Sequence, residues 1–102
     1  MPQFSSPFPP LPRKLSPLEL IRTLRFLIAA EYEAANMYLE VAEASEDVGV
    51  VAVLRDVAGE ELIHVGEFLA VLERLNPSET KLYELGMQEA ERTQREIPAP
   101  VV

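Results

Sequence analysis

Apolar residues recur along this chain at alternating steps of four and three. One series runs Leu20, Leu24, Leu27, Glu31, Ala34, Tyr38 and Val41; a second runs Val50, Leu54, Val57, Glu61, His64, Phe68, Val71 and Leu75. Steps of this kind keep one face of an α-helix apolar and form the seam of a helix bundle. The punctuation around the two series sets their ends. "SPLE" supplies Ser16 as N-cap, Pro17 at the first helical position and Glu19 at the third, a capping box. No Pro or Gly interrupts the chain from Leu18 to Val48, so a first helix is expected over 17–44. "SEDVG", residues 45–49, supplies a turn with Ser45 or Asp47 as the next cap. A second helix over 48–75 ends at "NPSE", where Asn76, Pro77 and Glu79 start a third over 77–96.

No stretch alternates in the manner of a strand, so the class is all-α. The two long helices, about 42 Å each at 1.5 Å per residue, are joined by a short loop and must run antiparallel as a hairpin. Two such helices cannot bury their apolar faces against each other alone. The third is shorter and charge-rich, with Leu82, Leu85, Met87 and Ile97 as its strong apolar positions. A partner chain is expected to complete a four-helix bundle. Six of the nine prolines fall in residues 1–17, which marks 1–16 as an extended arm before a helical domain over 17–96 and an irregular tail over 97–102.

Three members of the two seams are ionisable: Glu31, Glu61 and His64. With the turn centred near residue 46 or 47, Glu31 lies about fifteen residues before it and the other two about fifteen to eighteen after. In an antiparallel hairpin that puts all three near one height, and Glu61 and His64, at i and i+3, share a face. A carboxylate taken out of water alone would protonate rather than stay charged. A divalent cation bonded to both acids and the neutral imidazole removes that cost, and this donor set suits iron, manganese or zinc. One chain holds too few ligands for two metals. A twofold partner doubles the set to four Glu and two His, the complement of di-iron carboxylate bundles. The competing possibility is a Glu–His cluster that only fixes helix pairing.

Composition narrows the chemistry further. The 102 residues carry seventeen acids against nine Lys and Arg, for a formal charge of −8. That excess disfavours nucleic acid and attracts cations. There is no cysteine, which excludes disulfides, iron–sulfur clusters, rubredoxin-type iron and thiol nucleophiles. No apolar run approaches the roughly 18–20 residues of a membrane span, and the amino terminus lacks the order of a secretion signal; a cytoplasmic setting is expected. Ala52, Gly59 and Gly66 repeat every seven residues beside the seam of the second helix. Glycine inside a helix is costly, so this repeat points to close approach by another backbone or, alternatively, a ligand.

"IAAEYEAANMYLE" followed by "LRDVAGEELIHVGEFLAVL" resembles the ferritin-like superfamily, and in particular the encapsulated ferritins, over residues 17–96. That resemblance implies a half-ferritin whose homodimer builds a di-iron ferroxidase centre, oxidising Fe(II) for iron storage within an encapsulin nanocompartment. By position it makes Glu31 the ligand of the first helix, Glu61 and His64 those of the second, Glu33 an outer carboxylate that draws metal in, and Tyr38 a tyrosine beside the centre. It also implies rings of dimers, often decamers. Ala30 and Met37 depart from the pattern, where an acid and a large aromatic are usual. Within the same family, a non-catalytic oligomerisation module or a flavin- or metal-binding module is the alternative.

Overall fold

The computed structural model describes residues 13–97. The Pro-rich arm through residue 12 and the tail beyond Ile97 lie outside the described residues. Three helices follow in order: α1 (Pro17–Ala44), α2 (Val48–Leu75) and α3 (Pro77–Arg95). No helix among the described residues is long and apolar enough to cross a membrane.

The local chemistry behind the first two helix starts is as the sequence indicates. Ser16 Oγ accepts from the Glu19 backbone N–H at 3.2 Å while the Glu19 carboxylate accepts from the Ser16 N–H at 2.9 Å. Arg13 adds two bonds to that carboxylate, at 2.7 and 2.8 Å. At the turn, Asp47 is the cap of α2 and accepts from the Val50 N–H at 2.9 Å, while Ser45 closes α1. The start of α3 differs. Asn76 occupies the N-cap position but makes no side-chain bond to the backbone. Instead its Nδ2 donates to Glu79 at 3.0 Å, and Glu79 turns away from the cap.

Glu79 is the joint of the molecule. It is buried, and Arg25 of α1 grips it from Nε (3.0 and 3.1 Å) and Nη2 (2.5 Å), with the Tyr83 hydroxyl donating from one turn further along α3. The Arg25 hydrogen bonds hold the carboxyl at about 2, well below its ordinary 4.5, against burial that would raise it; Tyr83, the Arg25 charge and Asn76 add to the lowering. The same carboxylate, together with burial, pushes the Tyr83 hydroxyl up. A buried carboxylate is tolerable only when satisfied in this way.

The hairpin interior is narrow. Its buried apolar residues are Leu24, Ala34, Ala35 and Ala42 of α1 against Ala58, Val65 and Leu72 of α2. Alanines at the contact let the axes approach closely. This line is displaced by one residue from the α2 seam expected above. The positions Leu20, Leu27, Val41, Val50 and Val71 are more than a third exposed, because the stripe that carries them lies along one open side of the hairpin rather than between its helices. Seven apolar residues are buried and eighteen large ones exposed among the described residues, an imbalance of the kind that marks interaction surfaces. The shape agrees: the extents are 47 × 42 × 19 Å and the radius of gyration 17.7 Å, against about 13 Å for a closed domain of this length. The chain is a thin plate with α3 projecting from one end.

Candidate metal centre

Glu31 sits midway along α1 and Glu61 and His64 midway along α2, so the antiparallel pairing brings them level. One ligand atom from each falls within 4.8 Å of the others. His64 Nδ1 lies 3.4 Å from Glu61 Oε2 and 3.5 Å from Glu31 Oε2. Ligands of a single ion at bonds of about 2.1 Å stand roughly 3.0–3.4 Å apart when adjacent; the two histidine-to-carboxylate distances come close to that, and all three ligand atoms lie within 4.8 Å. Two hard oxygen donors and one imidazole form the set that a borderline divalent metal such as Fe(II) accepts.

The cluster is open on one side. The carboxylates are four-fifths covered, but the His64 side chain is 46% exposed, and with Glu31, Glu67 and Phe68 it lines a depression of about 370 Å³ on the plate's surface. Within a single chain the two acids are thus largely covered, while the imidazole is nearly half exposed. They lie on the same open side as the exposed Leu20, Leu27, Val50 and Val71. Tyr38, two turns beyond Glu31 in the same stripe, is half-buried. Glu33 stands apart. Two residues from Glu31, it projects roughly 200° away around α1 and is not part of the cluster. Glu67 is exposed and borders the depression beside His64. Its spacing of three from the histidine was the available signal.

This plate of helices has a solved counterpart. It superposes on the crystal structure of the encapsulated ferritin domain from Pyrococcus furiosus with a TM-score of 0.80 and 36% identity, covering 88% of this chain and 93% of that one. The chain belongs to the encapsulated ferritins. Two relatives extend the likeness of this encapsulated ferritin at the sequence level. Over 71 residues, 70% of the chain, it is 45% identical to a protein of Pyrococcus furiosus named "Ferritin-like-encapsulin shell fusion protein". Over 80 residues, 78% of the chain, it is 38% identical to the "Encapsulin nanocompartment cargo protein EncC" of Myxococcus xanthus. The matched part is 21% of the first protein and 61% of the second. No protein-family model matches this encapsulated ferritin.

Proposed function

We propose that the chain is a ferroxidase: a homodimer that binds Fe(II) at Glu31, Glu61 and His64 and oxidises it for storage. The observation that carries this is the convergence of those three side chains, from two helices, on an apolar face that one chain leaves uncovered. Closing two such faces about a twofold axis removes the exposed apolar stripe from water and brings the two half-sites together, with the six ligands that a two-iron centre requires. Glu31 bridges or chelates, Glu61 supplies the carboxylate of α2, and His64 is the terminal nitrogen ligand.

Iron is the substrate. Each Fe(II) gives up one electron to dioxygen or peroxide, and the product Fe(III), a harder ion, is stabilised by the carboxylate oxygens. The excess of acids over bases raises the local cation concentration and speeds arrival. The printed names of the two relatives and the family resemblance support residence inside an encapsulin shell in the cytoplasm, with dimers assembled further into a ring, decameric in the pattern of the family.

The test is direct. Fe(II) added without oxygen and then exposed to air is oxidised by the wild-type chain, while Glu61→Ala and His64→Ala lose that activity with their helical content unchanged. If either variant oxidises iron at the wild-type rate, the assignment of the site is wrong.

A further inference from the structure

The imidazole of His64 uses only one of its two nitrogens. Among the described residues its contacts to Glu61 and Glu31 both run through Nδ1, at 3.4 and 3.5 Å, and Nε2 has no partner. Two carboxylate oxygens facing Nδ1 call for a proton there, because a bare ring nitrogen is itself an acceptor. A cation bound at Nδ1 takes the place of that proton, and the N–H of the neutral ring must then sit on Nε2. The tautomer that binds metal is therefore not the one that the metal-free cluster favours.

The helix places one acceptor for the displaced N–H. At about 100° per residue, Glu61 stands about 60° from His64 on the side of Val65 and Leu72, which are buried against α1, and Glu67 about 60° on the other side. His64 and Glu67, three apart, are neighbours on the helix surface, and the Glu67 side chain leans back over the turn that carries His64. Both line the depression of about 370 Å³, together with Glu31 and Phe68. Glu60, one turn before His64, is also exposed but does not border that depression. The ion pairs among the described residues leave Glu67 unused. A histidine that holds a metal almost always donates its other N–H to a carboxylate, a carbonyl or water, which fixes the tautomer and the ring orientation. Within α2 the backbone carbonyls are committed to the helix ladder, so the carboxylate is the acceptor the chain itself offers.

We infer that Glu67 is a positioning residue for the metal site: its carboxylate accepts the Nε2–H of His64 and holds the ring in the tautomer that turns the Nδ1 lone pair toward Glu31 and Glu61. The inference rests on the reading of those three side chains as metal ligands. It gives Glu67 no bond to the metal and no part in electron transfer. The proton balance closes within the ring: one leaves Nδ1 and one is taken up at Nε2, both exchanged with water.

The chain's only histidine makes the test clean. Nitrogen-15 NMR of the full-length protein, labelled at histidine, reads the tautomer with Zn(II) as a diamagnetic probe. In the zinc-loaded wild type, Nε2 carries the proton, and that proton exchanges slowly with water. In Glu67→Ala it exchanges too fast to be seen, and Zn(II) affinity by titration calorimetry falls about tenfold with helicity unchanged. Glu67→Gln, whose amide oxygen still accepts, recovers part of both, and Glu60→Ala changes neither. On the His64→Ala background, removing Glu67 alters the residual zinc affinity by less than about twofold, since no ring is left to position. The inference is overturned if Glu67→Ala keeps the wild-type affinity or the slowly exchanging proton. It is also overturned if removing Glu67 costs as much affinity without His64 as with it, which makes the carboxylate a ligand or a plain charge. Failure of the underlying reading looks different: His64→Ala then binds zinc as the wild type does, and this inference falls with it.

Discussion

In the proposed function His64 is the residue on which the chemistry turns, because it is the chain's only histidine and its Nδ1 lies within 3.5 Å of both carboxylates. Removing a direct ligand costs more than disturbing the groups behind it, which alone is worth about 10–100-fold in metal affinity. His64→Ala and Glu61→Ala are therefore expected to weaken iron binding by at least about tenfold, read by anaerobic titration calorimetry. Leu72 is a contrasting case. It is the most buried large side chain, 1% exposed at the α1–α2 contact, and Leu72→Ala is expected to destabilise the fold by about 3 kcal/mol in chemical denaturation, without touching the ligands. The Glu31–Glu61–His64 cluster was legible in the sequence because these residues break an apolar series at matching heights. Their partial exposure was not, since a four-three repeat reports that a stripe is apolar and not which neighbour covers it. Here Ala58, Val65 and Leu72 fill the hairpin, and the stripe one residue earlier, through Val57, His64 and Val71, looks outward.

At the scale of elements, helix ends were readable wherever the bonds are local. Ser16–Glu19 and Asp47–Val50 close within three residues, and the bounds of α1 and α2 follow from them. The Asn76–Pro77–Glu79 start marked α3 correctly but not its bonding, because the Glu79 carboxylate is claimed by Arg25, fifty-four residues away. That joint carries a pH dependence of definite sign. The folded-state value of Glu79 is lowered from 4.5 to about 2, so its contribution is present above the ordinary value and is lost as pH falls from about 4.5 toward 2. The side-chain carboxyl of Glu79 is expected to titrate by NMR with a midpoint near 2, and amide protection in α3 to fall across the same window. In Arg25→Ala the midpoint moves back toward the ordinary value. A Glu79 midpoint near 4.5 in the wild type would mean that α3 is not held by this pair.

For the whole molecule, the decisive feature is that a 19 Å plate leaves both flat sides apolar and places a Glu–Glu–His cluster on one of them. The expectation that two long helices and a weak third cannot bury themselves was available from the sequence. The separation into two faces with different chemistry was not, because it depends on the phase of α2 against α1. In the proposed dimer, closing the face that bears the cluster brings two open half-sites together, so affinity and assembly are expected to be coupled: iron should favour the dimer, and a chain held monomeric should bind it weakly. The most direct measurement is anaerobic Fe(II) titration with the mass of each complex read by native mass spectrometry. Saturation at about two irons per dimer, with little iron on monomers and none at this site in His64→Ala, is the expected result. Monomers that take up iron as tightly as dimers, or a His64→Ala dimer that still saturates at two, would contradict it.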